Sequence, residues 1–305
     1  MTAASYAAVD WGTSSFRLWL IGENGEIVAE RRSGEGMTTA MKTGFQEILE
    51  NHLAAVLAPA HLPVVVCGMA GARQGWVEAG YLDTPAPLSG IVKAAVTVPN
   101  GNRDIRILPG LAQRSEDAPD VMRGEETQLL GAVKGLGPGN HLICMPGTHS
   151  KWVRVTDGIV EGFSSFMTGE LFDVIAKHSI LSHAIAGAEN FDGGEPAFVD
   201  AVREAAARPA MATNLIFTVR SGQLLHGLSP DAAKARLSGT MIGLEIAGAL
   251  SAARPSSNVG LVVSGGLGPL YQSALSALEL SPVVIDADEA VRKGLAAAAN
   301  AIWPA

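Results

Sequence analysis

Short runs of apolar residues separated by turn residues recur in the two halves of the chain. The strand-like runs are 6–10, 16–21, 26–32, 141–145, 151–156 and 159–166. Asn24-Gly25 separates the second and third runs, and Asp157-Gly158 separates the last two, which is typical of β-hairpins. The pattern therefore predicts one three-stranded meander in each half.

Longer patterns follow each meander. Apolar residues at helical spacing, or in continuous buried-type runs, predict helices over 41–57, 122–134 and 270–278 and strands over 63–67, 105–108 and 260–263. The glycine-rich stretch 135–139 separates the two sets, so we place the domains at 1–138 and 139–305. Because both halves show strands, then a glycine turn, then a helix, the chain has the pattern of a duplication.

A Gly-Thr turn lies inside each meander and marks candidate chemistry. Such turns present backbone N–H groups and hydroxyls to an anion, and glycine lets the backbone approach it. The candidate phosphate-binding residues are Gly12, Thr13, Ser14, Arg17, Gly147, Thr148, His149, Ser150 and Lys151. Arg17 and Lys151 would neutralise phosphate or, alternatively, extend from exposed strand positions. His149 would donate to phosphate or stabilise its turn.

Composition narrows the function classes. The chain has 305 residues and a net charge of −8, which argues against a general nucleic-acid-binding protein. No stretch has the length and apolar character of a membrane span, so we expect a cytoplasmic protein without a membrane partner. Cys67 and Cys144 lie in apolar runs and are expected to be reduced core residues. The histidines form no metal-binding pattern.

The order of these elements resembles the actin-like ATPase and sugar kinase superfamily. This resemblance implies a duplicated α/β fold of ribonuclease H-like domains, each with a mixed five-stranded sheet and helices on both faces, with a nucleotide cleft between the domains. It also implies that the two Gly-Thr turns are phosphate loops and that an adenosine site lies at Ser264, Gly265, Gly266 and Leu267.

Five segments narrow the resemblance to the 2-dehydro-3-deoxygalactonokinase family. They begin at Asp10, Gly68, Met122, Pro146 and Met167, and read DWGTS, GMAGARQGW, MRGEETQ, PGTHSKW and MTGELF. The resemblance implies an ATP-dependent kinase of galactonate catabolism that phosphorylates the 6-hydroxyl of 2-dehydro-3-deoxy-D-galactonate, with Mg²⁺ as cofactor.

Phosphoryl transfer needs carboxylates near the metal and the acceptor hydroxyl. Asp10 ends a strand before the first turn and could hold Mg²⁺, although a turn-capping role would also explain it. Glu125 and Glu126 open a helix, where one could act as catalytic base or metal-site carboxylate; the helix dipole alone also favours them. We slightly prefer Glu125. Asp117 and Asp120 are weaker alternatives.

A sugar acid needs a cation and hydrogen-bonding groups. Arg73, Gln74 and Trp76 offer a guanidinium, an amide and an aromatic surface, although Arg73 could simply be a surface residue. Thr168 and Glu170 would contribute to a ligand pocket or would serve only as the N-cap and first turn of a helix.

Two other functions stay open at this stage. One is a different phosphotransferase or phosphatase of the same fold, acting on another sugar acid, polyphosphate or ppGpp. The other is a non-catalytic, nucleotide-binding assembly module. The sequence leaves the oligomeric state open, with a homodimer as one option.

Overall fold

The structure is a computed structural model that describes residues 4–99, 102–252 and 258–304. The chain forms two compact units. The first comprises Met1–Pro138, Thr156–Gly162 and Ala287–Ala305, and the second comprises Gly139–Val155 and Phe163–Asp286. Each unit is therefore assembled from more than one stretch of chain, and the domain ranges 1–138 and 139–305 stay a prediction.

The first unit begins with a β-meander and adds parallel strands to it. Its strands are β1 (Ala4–Trp11), β2 (Phe16–Gly22), β3 (Ile27–Ser33), β4 (Val64–Gly68), β5 (Tyr81–Asp83), β6 (Ala86–Pro87), β7 (Val96–Thr97), β8 (Ile105–Ile107), β9 (Gly110–Gln113) and β10 (Asp120–Met122). Its first helices are α1 (Met37–Thr43), α2 (Phe45–Ala55), α3 (Leu88–Lys93) and α4 (Glu125–Leu136).

The second unit repeats this plan and inserts several helices. Its sheet contains β11 (Asn140–Met145), β12 (Ser150–Thr156), β13 (Ile159–Phe166), β14 (Asn258–Val263) and β15 (Ser281–Asp286), although the hairpin residues Thr156–Gly162 of β12 and β13 belong to the first unit. Its helices are α5 (Thr168–His178), α6 (Ser182–Ile185), α7 (Pro196–Ala207), α8 (Ala212–His226), α9 (Pro230–Ala252) and α10 (Leu267–Ala277). The last helix, α11 (Ala287–Ile302), belongs to the first unit.

The two main sheets have the same strand order. In the first unit the order is β3-β2-β1-β4-β8-β7. In the second sheet, read in the same sense from the meander, the order is β13-β12-β11-β14-β15, with β6 paired beyond β13. In both, a meander is followed by parallel pairing of its first strand, β1 with β4 and β11 with β14. This confirms the predicted duplicated actin-like fold. Both sheets have six strands rather than the predicted five, because β7 pairs antiparallel with β8 in the first and β6 pairs antiparallel with β13 in the second.

Two predicted helix boundaries were wrong. The helix expected over 41–57 is two helices, because Gly44 between them has a φ of 107° that no helix contains. The helix expected from residue 122 begins at Glu125, because Met122 still pairs in β10 and Gly124 has a φ of 109°. No helix among the described residues is long and apolar enough to cross a membrane.

The first unit's core lies between its main sheet and its helices. Every residue of β1 from Tyr6 to Trp11 is buried, and Leu49 and Leu53 of α2 pack into the same apolar cluster. Helices α4 and α11 cross closely at two glycines. A methyl group built on Gly131 would lie 1.9 Å from the Ala290 carbonyl oxygen, and one on Gly294 would lie 1.9 Å from that of Thr127. The position of α4 therefore depends on the absence of these two side chains.

Candidate active site

The first Gly-Thr turn lies between β1 and β2 and is held from behind. The Gly12 N–H donates a hydrogen bond to the Ser15 carbonyl oxygen at 2.8 Å, and the Met37 N–H donates one to the Gly12 carbonyl oxygen at 2.9 Å. Any side chain on Gly36 would collide with the backbone of Thr13 and Ser14. Both of those residues are exposed. The turn is thus fixed on one side while its hydroxyls face outward.

Asp10 and Arg17 form a partly buried ion pair beside this turn. Arg17 also contacts Asp288 in the first turn of α11. The Asp288 carboxylate accepts a further hydrogen bond from the Arg32 guanidinium at 2.7 Å. The alternative in which Arg17 extends from an exposed strand position is wrong, because its side chain is 22% exposed and bridges two carboxylates. In this structure the guanidinium therefore balances the charge of Asp10, and its part in phosphate binding stays a prediction.

Glu125 and Glu126 open α4 and have different surroundings. Glu126 is fully buried; its carboxylate accepts from the Gly124 N–H at 2.6 Å and from the Thr127 hydroxyl at 2.8 Å. Burial raises the pKa of Glu126 from 4.5 to about 8, and the charge of Glu125 adds to this rise. Glu125 is partly exposed and accepts from the Arg123 N–H at 3.1 Å. Only Glu125 of the pair has exposed surface.

A glycine contact joins α4 to the end of the sheet near Asp10. Gly68 follows Cys67, which is paired in register with Asp10, and a methyl group on Gly68 would lie 3.4 Å from an Asp10 carboxylate oxygen. A methyl group on Gly124 would lie 3.6 Å from the Gly68 Cα. Gly68 therefore lies against both Asp10 and the start of α4, which brings three predicted acidic residues to one end of parallel β1 and β4.

The predicted sugar-acid residues of the first unit lie beyond β4. Arg73 and Gln74 are exposed. Trp76 is partly buried and packs edge-on against Trp11, with ring centroids 6.2 Å apart, and stacks with Phe45 at 6.1 Å. The indole is thus anchored by the core, and the polar side chains before it are accessible. Their contact with a substrate stays a prediction.

The second Gly-Thr turn packs against the start of α5. The Glu170 N–H donates to the Thr148 carbonyl oxygen at 3.0 Å, and a methyl group on Gly169 would lie 2.5 Å from the Gly147 carbonyl oxygen. The exposed side chains of His149 and Glu170 are hydrogen-bonded to each other. The sequence segments that begin at Pro146 and Met167 are therefore neighbours in space.

Two expectations at this turn were wrong. Thr168 is the first residue of α5, and the N-cap is Met167, which makes no side-chain capping hydrogen bond. Lys151 does not extend into solvent from an exposed position: it is 6% exposed, and its ammonium donates to the Ser165 hydroxyl on the neighbouring strand. Neither observation tests whether these residues bind a ligand.

A cavity of about 440 Å³ opens beside this turn, within the second unit. Four residues predicted from the sequence contribute to its wall: Gly147, Thr168, Gly266 and Leu267. Ser264 and Gly265, predicted with the last two, are exposed in the preceding turn. The structure thus brings the second phosphate turn, the start of α5 and the predicted adenosine turn to a single cavity.

Comparison with known proteins identifies the family. The profile of the 2-keto-3-deoxy-galactonokinase family matches residues 10–298. The chain belongs to this family. The probable 2-dehydro-3-deoxygalactonokinase DgoK1 of Rhizobium meliloti (strain 1021) is 66% identical over 303 residues, which cover 99% of each chain. The 2-dehydro-3-deoxygalactonokinase of Escherichia coli (strain K12) is 32% identical over 299 residues, 98% of this chain and 99% of that protein.

A crystal structure supports the same conclusion. A Sinorhizobium meliloti protein assigned as a 2-dehydro-3-deoxygalactonokinase has a TM-score of 0.97 and 66% identity, and the match covers 98% of this chain and 100% of that one. Every site residue predicted from the sequence lies inside the stretch that matches the 2-keto-3-deoxy-galactonokinase family.

Sequence reasoning missed most of the cavity wall in this family member. The missed residues come from α5, α9, α10 and the loop before α7; they include Phe172, Asn190, Phe191, Lys234, Met241 and Tyr271. Lys234 donates to the Glu189 carbonyl oxygen at 3.1 Å and to the Asn190 side chain at 3.3 Å. The sequence signal that could have indicated these wall residues is an aromatic residue within a polar stretch, such as Phe191.

Proposed function

We propose that this chain transfers the γ-phosphate of ATP to the 6-hydroxyl of 2-dehydro-3-deoxy-D-galactonate, a step of galactonate catabolism. The observation that carries the proposal is the near full-length similarity to proteins named for that activity, at 66% and 32% identity. A kinase works where ATP is supplied, so we place the activity in the cytoplasm.

The acidic residues at the start of α4 support a role in removing the proton of the acceptor hydroxyl. As the acceptor oxygen attacks the γ-phosphorus, its proton must leave and the β–γ bridging oxygen must depart with ADP. Glu125 is the carboxylate of its pair with exposed surface, so we assign it to the proton. Glu126, with both oxygens occupied, holds the Gly124 backbone and so the start of α4.

Asp10 is our candidate for a magnesium ligand. Among the described residues no three metal-binding side chains gather into a cage. This suits Mg²⁺, which proteins commonly hold through one or two carboxylates while substrate phosphates and waters complete its shell. When bound, the ion would neutralise charge on the phosphate oxygens. Arg17, already paired with Asp10, would then be released toward the phosphates.

The cavity of the second unit supports nucleotide binding. Its volume falls in the range of small-molecule sites, and Phe172, Phe191 and Leu270 give it an apolar surface suited to a base. Gly147 at its edge continues into Thr148, His149 and Ser150, the proposed phosphate contacts. In the first unit we assign Arg73 to the carboxylate of the sugar acid, because a guanidinium binds carboxylate through two parallel hydrogen bonds.

A coupled assay of ADP release tests the function. The purified protein is given ATP and Mg²⁺ with 2-dehydro-3-deoxy-D-galactonate, its C4 epimer, neutral sugars or glycerol, and the product is identified by phosphorus NMR. We expect turnover with the first substrate and a 6-phosphate product. Absence of turnover on every acidic sugar would refute the assignment, and ATP hydrolysis without any acceptor would favour a phosphatase.

The Glu125 assignment has its own test. Glu125→Gln should lower kcat by about 10²–10⁴, the usual contribution of a positioned proton acceptor. Glu126→Gln should have a smaller effect, because the amide oxygen still accepts one of the two hydrogen bonds. Equal turnover of both variants and the wild type would remove the start of α4 from the mechanism.

A further inference from the structure

Glu245 lies on α9 immediately behind the wall of the 440 Å³ cavity and is 2% exposed. Ile242 and Met241, three and four residues before it, both line the cavity. Residues at these spacings share one face of a helix, so Glu245 projects toward the same side. Neither the sequence patterns nor the proposed mechanism assigns this side chain a role.

The Glu245 carboxylate is surrounded by hydrogen-bond donors. The Trp152 indole N–H donates to Oε1 and the Tyr271 hydroxyl donates to Oε2, each at 2.8 Å. The side chains of Thr168 and Ser150 also hydrogen bond to it. An indole N–H cannot accept, and an ionised carboxylate can only accept, so the ionised form satisfies this arrangement. Burial raises the pKa of Glu245, and these four hydrogen bonds oppose that rise.

The four donors come from the elements that form the cavity. Ser150 and Trp152 lie on β12, directly after the second Gly-Thr turn, while Thr168 starts α5 and Tyr271 lies on α10. Thr168 and Tyr271 line the cavity themselves. A buried charge costs more than an apolar residue of the same size unless its partners are well placed. What the carboxylate adds over an apolar residue is a fixed direction for these hydroxyl protons.

Fixing the proton of Thr168 decides what the cavity can recognise at that point. A threonine hydroxyl has one hydrogen to donate and two lone pairs to accept with. When the hydrogen points at Glu245, only the lone pairs are left for a ligand. A ribose hydroxyl or an exocyclic amine can donate to them, whereas a phosphate oxygen, itself an acceptor, gains nothing there.

We propose that Glu245 is a positioning residue that turns Thr168 into a hydrogen-bond acceptor for the nucleoside part of ATP. This inference rests on the proposed function insofar as the cavity binds ATP. It assigns the cavity beside Thr168 to a donor-bearing nucleoside and leaves the phosphates to the turn at Gly147–His149. It also makes α9, the helix that precedes β14, part of the nucleotide site.

A double-mutant cycle tests the proposal on the full chain. Glu245→Met, Thr168→Val and the double variant are compared with the wild type for kcat, KM for ATP and KM for the sugar acid, and for ADP affinity by calorimetry. Each single change should raise the KM for ATP and the Kd for ADP about tenfold, the effect of one lost hydrogen bond. The KM for ATP and the Kd for ADP of the double variant should exceed those of the more impaired single variant by no more than about twofold, because Glu245 acts through Thr168. The KM for the sugar acid should change less than about twofold.

Two further variants separate positioning from folding. Glu245→Gln keeps one accepting oxygen and should restore part of the affinity lost in Glu245→Met; if the methionine variant does not fold, the cycle is run with glutamine. Ile246→Val, the fully buried neighbour on α9, should lower Tm while leaving both KM values unchanged.

The outcomes separate this inference from the proposed function. Multiplicative effects in the cycle, an unchanged KM for ATP, or an equal rise in both KM values would overturn the role of Glu245. A wild type that phosphorylates no sugar acid but shows the expected pattern in ADP affinity would refute the proposed function and support the role of Glu245.

Discussion

Because α4 and α11 cross closely, the effect of a glycine-to-alanine change in α4 on stability should depend on which face of the helix carries it. Gly131 faces α11: an added methyl would lie 1.9 Å from the Ala290 carbonyl oxygen and 2.7 Å from the Gly294 nitrogen. Ordinary van der Waals contact begins at 3.4 Å, so the helices must separate by about 1.5 Å at this point. Gly135, one turn further along α4, is exposed and has nothing within 4 Å.

Gly131→Ala should therefore destabilise the protein and Gly135→Ala should not. Both changes gain about 1 kcal/mol of helix propensity. At Gly131 this gain is outweighed by overpacking against backbone, which costs about 1–3 kcal/mol or more. A net loss of up to about 2 kcal/mol lowers Tm by up to roughly 4–8 °C in a unit of this size, whereas Gly135→Ala should raise Tm by a few degrees.

The displacement of α4 in Gly131→Ala should also lower the catalytic rate. Glu125 and Glu126 are the first residues of α4, and a misplacement of about 1 Å can cost about 100-fold in rate. Differential scanning calorimetry and kcat measured on both variants check the reasoning. If Gly131→Ala melts with the wild type, or if Gly135→Ala is equally destabilised, the close crossing does not determine the position of α4.

Three further results are expected. Because folding raises the pKa of Glu126 from 4.5 to about 8, ionisation of this side chain opposes folding. The Tm of the wild type, measured relative to that of Glu126→Gln, should therefore fall as pH rises from 5 to 8 and level off above pH 8. A Tm difference that does not change with pH would contradict this. Gly169→Ala places a methyl 2.5 Å from the Gly147 carbonyl oxygen, so the KM for ATP should rise at least about fivefold with little change in the KM for the sugar acid; equal changes in both would contradict it. Cys67 and Cys144 are buried with raised pKa values, so a thiol reagent should label neither in the native protein and both after unfolding; rapid native labelling would show that one is accessible.

The parts of the fold that local chemistry determines could be predicted from the sequence. The second hairpin turn has positive φ at both Asp157 and Gly158, the conformation that an Asp-Gly pair favours, so its flanking strands were predicted correctly. Gly25 behaves likewise with a φ of 79°. The break at Gly44 was missed because the apolar spacing on both sides of it continues as in one helix.

The cavity could be predicted only in part, since its wall depends on long-range packing. The glycine turn at Gly266 has a local signal, whereas Met241 and Lys234 reach the same cavity through α9, an element that the sequence patterns did not identify. Helix α9 packs so closely on α7 that a methyl on Gly239 would lie 2.3 Å from the Phe198 carbonyl oxygen. A helix covered on most sides lacks the amphipathic pattern by which surface helices are recognised.

Both units bury a glutamate close to a predicted ligand turn, burial raises the pKa of both, and the groups around each carboxylate modify that rise. Glu126 accepts hydrogen bonds from the Thr127 hydroxyl and from the backbone N–H groups of Gly124 and Glu126, and a second carboxylate, Glu125, lies nearby. Desolvation prevails, and its pKa rises to about 8. Glu245 has four donor side chains, and each of them opposes the rise caused by burial. Charge at Glu126 therefore changes near neutral pH, whereas charge at Glu245 depends on its partners. Removing the Trp152 donor, as in Trp152→Phe, should favour the neutral form of Glu245 and free the Thr168 proton, which would weaken nucleoside binding without any change to a residue that lines the cavity.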